Sequence, residues 1–288
     1  MAEFEERKSE LTELARRIGW REAIAQHYGA AEYLTDPGRA IFLDLLPLQG
    51  ADVLEIGPGF GQFTDLIARR AKRVSALEVD ADQASFMREK LRQEGIANAV
   101  VITGGADCRL PYADKSFDLV ILNLVFEWCA LRLDEPHESA QMRMLSEIAR
   151  VLKPGGRLYL ATKNRFALRY LLGKPDEHYF NMRFGSALPR RLADRLHGKR
   201  PRGRLYSWRG LLRLLEQSGF RVERSWWAAP EMRFPDEMIP TEAPSIRAAR
   251  RRGIRQGDGR AVRMLTGMLP ASLVKHFAPG LSFLAVRN

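Results

Sequence analysis

A short apolar run that enters a turn with three glycines, at residues 53–64, constrains the fold of this chain more than any other segment. Gly57, Gly59 and Gly61 lack a Cβ atom, so the backbone there can turn sharply and approach a bound molecule closely. The helical pattern that follows presents unpaired N–H groups at its first turn, which favour an acceptor or an anionic group. The segment therefore predicts a buried strand, a ligand-binding turn and a helix.

The glycine spacing separates two kinds of ligand. A dinucleotide site needs Gly-x-Gly-x-x-Gly, whereas this turn reads Gly-x-Gly-x-Gly and follows the acidic Glu55. The spacing disfavours a nicotinamide-dependent oxidoreductase. It resembles motif I of the class I S-adenosylmethionine-dependent methyltransferases, and this resemblance implies a nucleoside cofactor that carries an amino-acid tail instead of a phosphate. We expect Glu55 to meet the ammonium group of such a tail, directly or through water.

Apolar runs and helical patterns alternate from residue 52 to residue 162. This alternation predicts a doubly wound α/β fold with a parallel sheet, in which ligands bind beyond the carboxyl ends of the strands. The predicted strands are 52–56, 73–79, 99–103, 117–124 and 157–162, the last after a helix stop at 153–156, and two further strands are predicted at 220–227 and 281–286. Ser207 is the predicted N-cap of the helix before these two strands. Residues 4–33 read as helical and stand outside the sheet.

Each predicted strand end offers a residue suited to one part of a nucleoside ligand. Glu78, about 20 residues past the glycines, can accept hydrogen bonds from both ribose hydroxyls, while Asp80 is predicted to cap the next helix. Asp107 is placed to accept from an adenine amino group, with the Cys108 N–H beside the ring, although an Asx turn would also explain this aspartate. Asn123 ends the fourth strand, near the entering substrate.

In order along the chain, these segments resemble motifs I to IV and post-IV of the class I S-adenosylmethionine-dependent methyltransferases. The segments are residues 53–64, Glu78, 105–107, 116–120 and 147–158. The resemblance implies S-adenosylmethionine as cofactor, with contacts from Gly57, Gly59, Gly61, Glu78 and Asp107. It also implies a seven-stranded Rossmann-like sheet whose last strand is antiparallel. Many relatives have cysteine where this chain has Pro58, and the proline removes a backbone N–H donor from the turn.

The chain is predicted to divide into a helical arm, residues 1–37, and a methyltransferase domain, residues 38–288. An insertion or lid is expected at 163–206 after the fifth strand, and a basic segment at 241–275. The net charge of +11 is local, since residues 163–213 hold fourteen Lys or Arg against three Asp or Glu. The insertion is similar to that of methyltransferases of bacterial surface-glycan and other secondary biosynthesis.

These features favour O-methylation of a small molecule or glycan precursor, with an acidic acceptor as one alternative. His178, in the insertion beside Asp176 and Glu177, is the candidate general base, although a surface histidine would fit the same pattern. Arginine-rich segments keep RNA methylation open as the alternative, and a catalytically silent binding domain is a further one. Neither cysteine shows metal-ligand spacing, so we expect no metal. No apolar stretch reaches the length of a membrane span, and we expect a cytoplasmic protein.

Overall fold

Five parallel strands build most of the central sheet, and three strands from residues 220–287 complete it. This computed structural model describes residues 2–29, 32–131, 133–198, 202–253 and 259–288. In chain order the strands are β1 (Asp52–Ile56), β2 (Arg73–Glu78), β3 (Ala99–Thr103), β4 (Phe117–Asn123), β5 (Leu152–Lys163), β6 (Pro175–Asp176), β7 (Met182–Arg183), β8 (Phe220–Ala229), β9 (Glu237–Pro240) and β10 (Gly280–Arg287).

Helices precede the sheet, connect its strands and fill the late segments of the chain. In chain order they are α1 (Ala2–Ile18), α2 (Trp20–Tyr28), α3 (Glu32–Thr35), α4 (Thr64–Ala68), α5 (Ala81–Gln93), α6 (His137–Val151), α7 (Leu168–Leu171), α8 (Arg190–His197), α9 (Trp208–Gln217), α10 (Ala243–Arg251), α11 (Arg260–Met268) and α12 (Val274–Phe277). Short 3₁₀ segments lie at Pro37–Leu45, Phe126–Trp128, Glu177–Tyr179 and Ala271–Leu273.

The main sheet has the order β3-β2-β1-β4-β5-β10-β8-β9. Strands β1 to β5 pair in parallel, whereas β10 is antiparallel to both β5 and β8. The doubly wound fold with an antiparallel last strand is therefore confirmed. The sheet has eight strands where the sequence predicted seven, because β9 adds an edge strand to β8. Four residues are too few to show an alternating pattern, and an edge position tolerates Pro240.

The sheet is buried on both faces, which is why its strands read as continuous apolar runs. Every residue of β1 is buried. Leu145 and Ile148 of α6 belong to the cluster on one face. Phe42 and Tyr159 belong to the cluster on the other face, where their rings stack with centroids 5.0 Å apart. This packing fixes the strand positions and leaves the carboxyl ends of the strands to form a site.

The N-terminal helices α1 and α2 pack against α5. Trp20 Nε1 donates to Glu94 Oε1 at 2.8 Å. Lys90 of α5 lies 4.6 Å from the centre of the Trp20 ring and donates to Asp65 Oδ1 at 2.7 Å. The same ammonium group donates to the Gly61 carbonyl. The helical arm is thus joined through Lys90 to the glycine turn.

Strand β5 begins earlier than the sequence predicted. We expected a helix stop at residues 153–156 and a strand from Arg157, but the strand starts at Leu152, directly after α6. Lys153 Nζ donates to Asp118 Oδ2 at 2.8 Å, and the pairing of β4 with β5 shifts register between Phe117 and Leu119. The ion pair between Lys153 and Asp118 thus holds the glycine-containing start of β5 against β4, where the pairing is irregular.

Residues 163–206, the predicted insertion, contain α7, the two-stranded β6–β7 pair and α8. Within the described parts of the chain, no helix combines the length and apolar content that crossing a membrane requires.

Candidate active site

Two cavities lie side by side at the carboxyl ends of the parallel strands. The first cavity has a volume of about 430 Å³ and the second about 470 Å³. Their shared lining residues are Gly57, Gly59, Leu124, Val125 and Trp128. A ligand in the first cavity can therefore meet a ligand in the second across the glycine turn.

The glycine turn has the left-handed backbone that the three glycines permit. Gly57 and Gly59 have φ values of +68° and +61°. A Cβ on Gly57 would lie 2.6 Å from a methyl carbon of Val125, whereas a Cβ on Gly59 would have only Gln83 Oε1 within 4 Å, at 3.9 Å. Gly57 thus allows close packing, and Gly59 keeps the space of the cavities open.

Gly61 has a different part in the turn. Its φ is +72°, and a Cβ there would lie 2.8 Å from Cγ of Met87. It lines neither cavity. The structure places this predicted contact behind the turn, against α5.

Glu78 joins the glycine turn to the first cavity, which it lines. Its Oε2 accepts from the Gly59 N–H at 2.9 Å, and its Oε1 accepts from the Asp80 N–H at 3.0 Å. A carboxylate has about four lone-pair sites, so two remain for a ligand diol. Asp80 caps α5 by accepting from the N–H groups of Asp82 and Gln83, as predicted.

The structure does not bring Glu55 to either cavity. The side chain is buried and accepts from Thr64 Oγ1 at 2.7 Å. Burial raises the pKa of Glu55 to about 7, against the opposing effects of the Thr64 hydrogen bond and of Lys90. Glu55 is therefore placed to hold the start of α4 against β1, away from both cavities.

The segment after β3 reaches the first cavity through Ala106 and Cys108, and Asp107 is not among its lining residues. The Asp107 side chain is 63% exposed and accepts from the Arg109 N–H at 3.0 Å, which is the Asx-turn arrangement. Cys108 is buried with φ of +60°, and its thiol donates to the Cys129 carbonyl at 3.2 Å. Both cysteines are free thiols.

The first cavity fits a nucleoside. Its walls include the apolar side chains of Ile56, Leu77, Leu131 and Met144, which suit a flat base. Glu78 supplies acceptors for a ribose, and the missing Cβ of Gly59 leaves room for the rest of the ligand.

The second cavity holds the predicted residues Asn123 and His178, together with charged groups that come from distant parts of the chain. The charged lining residues are Arg39, Glu127, Lys163, Glu177 and Arg233. Lys163 is the last residue of β5, so the expectation that ligands bind beyond the carboxyl ends of the strands could have identified it. No sequence signal pointed to Arg39 or Arg233, because only the fold brings them together.

His178 is buried between two carboxylates. Its Nδ1 lies 3.0 Å from Asp176 Oδ1, and its Nε2 lies 3.8 Å from Glu127 Oε1. Its ring stacks on Trp128 with centroids 5.0 Å apart. Burial lowers the pKa of His178, but the interactions with Asp176 and Glu127 outweigh this and raise the pKa above its usual value. Thr162 Oγ1 donates to Glu127 Oε2 at 2.9 Å, which fixes the second carboxylate.

Three cationic side chains border the same space. Burial and, to a smaller extent, the neighbouring Arg233 lower the pKa of Lys163 to about 8. Lys163 forms an ion pair with Glu177, and Arg233 lies 3.9 Å from the same carboxylate. Arg39 is buried and donates to the Arg233 carbonyl. The cavity therefore combines a histidine with a cationic rim.

Asp176, Glu177 and His178 also offer one possible metal-ligand atom each, all within 4.8 Å of one another. The Asp176 carboxylate accepts from the N–H groups of His178 and Ser186. Glu177 accepts from Tyr170 and Lys163. The possible metal-ligand oxygens of Asp176 and Glu177 are therefore already used in hydrogen bonds within the protein.

Comparison with known proteins agrees with this geometry. Residues 54–160 match a family described as a methyltransferase domain. The chain is 34% identical over 112 residues to the malonyl-(acyl-carrier protein) O-methyltransferase of Methylococcus capsulatus, covering 39% of this chain and 37% of that protein. It is 39% identical over 95 residues to a probable ribosomal RNA small subunit methyltransferase A of Pyrobaculum aerophilum, covering 33% and 38%. The chain thus spans well under half the length of these relatives.

A solved structure shares the fold across almost the whole chain. It is an S-adenosylmethionine-dependent methyltransferase from Mesorhizobium loti, with 18% identity and a TM-score of 0.51, covering 90% of this chain and 99% of that one. Residues 54–160, which include the glycine turn and Glu78, therefore form a methyltransferase domain of the class I S-adenosylmethionine-dependent type, whose cofactor is S-adenosylmethionine.

Proposed function

We propose that this protein is an O-methyltransferase that acts on a small acidic molecule or acidic glycan precursor. The observation that carries the proposal is the second cavity, which shares the glycine turn with the first and contains His178 and three cations. S-adenosylmethionine, when bound, supplies a methyl group activated by a sulfonium. The residues of this chain have to position an acceptor oxygen and take up its proton.

Gly57, Gly59 and Glu78 are the proposed cofactor contacts, with Cys108 beside the base and Asn123 on the wall of the second cavity. Glu78 accepts from the Gly59 N–H and so holds the turn in the shape that the cofactor needs. Because they lie away from the cavities, Glu55, Gly61 and Asp107 are proposed to support the loops and not to touch the cofactor.

His178 is proposed as the general base. Asp176 accepts the Nδ1–H and thereby orients the ring, so Nε2 is the nitrogen that can receive a proton. With the cofactor bound, Nε2 would receive the hydroxyl proton of the acceptor as its oxygen is methylated. The nearby Glu127 carboxylate stabilises the imidazolium that forms.

The cations support an acidic acceptor. Arg39, Lys163 and Arg233 line one cavity, and guanidinium and ammonium groups bind carboxylate or phosphate oxygens well. Glu177 already pairs with Lys163 and approaches Arg233, while Arg39 donates to a carbonyl. A negatively charged acceptor would add the counter-charge that Arg39 lacks in these contacts.

RNA remains the competing acceptor, given the basic composition of residues 163–213 and the ribosomal RNA methyltransferase relative. Several of these arginines contact the protein itself. Arg202 pairs with Asp194, Arg204 pairs with Glu138, and Arg169 lies 3.6 Å from Glu231. These contacts reduce the charge available to a phosphate backbone and favour the small acceptor.

The test has two parts. Calorimetric titration with S-adenosylhomocysteine should show binding to wild type and to His178→Ala alike. Methyl transfer to a panel of hydroxylated carboxylates and sugar phosphates should occur with wild type and be lost in His178→Ala. His27→Ala, which removes a histidine from α2, is the matched control and should keep full activity.

Equal turnover by His178→Ala and wild type would refute the assignment of the base. Methylation of RNA and of no member of the panel, together with RNA binding that weakens steeply with salt, would refute the small acceptor.

A further inference from the structure

A third cavity, separate from the two at the strand ends, is surrounded by arginines. It is small and lies within the insertion, against His137 of α6. The lining residues used below are His137, Arg165, Ser186, Arg190, Arg202 and Arg204. Nothing in the proposed reaction uses this cavity.

Two of the arginines are more than half buried and bind neutral partners. Arg165 donates to the carbonyls of Ser186 and Leu188 at 2.8 and 2.7 Å, and Arg190 donates to the Leu205 carbonyl at 3.2 Å. A guanidinium has five N–H donors, so each retains donors beyond these contacts. The other two arginines form ion pairs, Arg202 with Asp194 and Arg204 with Glu138.

The electrostatics of this arrangement are unfavourable without a further anion. Burial, Arg190 and Arg204 lower the pKa of Arg165, and Asp194, which also lines the cavity and pairs with Arg202, opposes them without cancelling the shift. Burial and Arg204 also lower the pKa of Arg190. Burial also lowers the pKa of His137, whose Nε2 lies 2.9 Å from the Arg202 carbonyl oxygen, and so favours the neutral form of this histidine. Placing two cations close together in a partly desolvated site costs free energy that an anion would offset.

An independent observation comes from Ser186. This residue is 2% exposed, and its Oγ has no hydrogen-bond partner within the described parts of the chain. Buried hydroxyls in native proteins are nearly always hydrogen-bonded, so an unpaired one beside a cavity indicates a missing partner. The Ser186 N–H is already used, since it donates to Asp176 Oδ2 at 2.7 Å.

We propose that this cavity binds one phosphate-like oxyanion, held by Arg165 and Arg190 and by the Ser186 hydroxyl. Guanidinium groups pair with such oxygens in two-pronged fashion, and the serine hydroxyl donates to a third. The oxyanion is either free phosphate or the phosphoryl group of a larger molecule that reaches in from solvent.

The bound anion would stabilise the wall behind His178. The Gly203 N–H donates to the His178 carbonyl at 3.0 Å, and the Arg204 N–H donates to the Glu127 carbonyl at 2.8 Å. Ser186 reaches the same histidine through Asp176. The anion site therefore lies against the backbone and hydrogen-bond partners of the proposed base, although its existence does not depend on the methyl-transfer proposal.

The experiment is a titration of the full chain with inorganic phosphate at constant ionic strength, followed by calorimetry and by the melting temperature. Wild type should bind one phosphate saturably. Arg190→Gln should weaken this binding about tenfold or more, because a charge-assisted contact is lost. Arg191→Gln, an exposed arginine on the same helix, is the matched control and should bind as wild type.

Ser186→Ala guards against an effect of misfolding. It removes a hydroxyl that has no described partner, so stability without phosphate should stay unchanged while phosphate binding weakens about threefold to tenfold. Glycerol phosphate distinguishes the two sources of the anion. Competition with phosphate assigns the site to the phosphoryl group of a larger ligand, and lack of competition assigns it to free phosphate.

Absence of saturable binding by wild type would overturn the proposal. Equal affinities of wild type, Arg190→Gln and Arg191→Gln would overturn it as well, because phosphate would then bind elsewhere.

Discussion

Glu78 Oε2 accepts the Gly59 N–H at 2.9 Å, so one carboxylate both shapes the glycine turn and faces the first cavity. Glu78→Ala should reduce the affinity for S-adenosylhomocysteine at least about 100-fold, since it removes the turn contact and the ribose acceptor together. Calorimetry measures the affinity, and circular dichroism checks the fold. Glu216→Ala, an exposed carboxylate on α9, is the control and should bind normally; a Glu78→Ala protein with wild-type affinity would contradict the site.

Gly59 and Gly61 should respond differently to alanine. Gly59→Ala places a methyl group in open cavity space, so cofactor affinity should fall sharply while the left-handed backbone costs only about 1–2 kcal/mol of stability. Gly61→Ala directs a methyl group against Met87, so its main effect should be a lower free energy of unfolding. Urea denaturation and cofactor titration of both variants separate the effects. If both variants lost the same property, the two glycines would share one role.

The pH dependence of turnover should follow His178. A base acts in its neutral form, so kcat should rise with pH through a pKa above 6.5 and then level off. Asp176→Asn removes a partner that raises this pKa, so the rising limb should move to lower pH, with a reduced plateau. A kcat–pH profile that keeps its position in Asp176→Asn would contradict the pairing.

The raised pKa of His178 also makes the stability of the protein depend on pH. Because the folded pKa of His178 is raised, its stabilisation is complete below the unfolded pKa and is lost as pH rises through the folded pKa.

Glu55 should make the protein less stable as pH rises. Its folded pKa is about 7 against 4.5 for an ordinary glutamate, so the folded state favours the protonated form. The contribution of Glu55 to stability should be largest below pH 4.5 and should be lost as the pH rises through 7. Glu55→Gln should cancel that decrease and stabilise the protein at pH 8 by up to about 3 kcal/mol, at 1.36 kcal/mol per pKa unit. Urea denaturation at several pH values measures it; a variant less stable than wild type at pH 8 would show that the carboxylate is needed.

Local signals in the sequence predicted most of the sheet and the glycine turn. Strands β1 and β3 have the predicted bounds, and Asp80 and Ser207 cap helices as expected, because apolar runs and caps act over a few residues. The edge strand β9 and the early start of β5 depend on pairing with distant partners, so no local signal indicated them.

The site was predictable only where a residue's role follows from its position at a strand end. Glu78 and Asn123 line the cavities for that reason. The direction of a side chain is set by packing, which turns Glu55 towards Thr64 and leaves Asp107 in solvent. The cationic rim joins Arg39 and Arg233, which are 194 positions apart, and only the folded chain shows that they meet.

Lys90 gives the N-terminal helices an energetic link to a ligand that they do not touch. Its ammonium group lies against Trp20 of α2 and donates to Gly61 of the turn, so docking of the helices and order in the turn share one contact. Such coupling is reciprocal. We therefore expect cofactor binding to protect α1 and α2 from proteolysis by the same free energy by which their removal would weaken the cofactor.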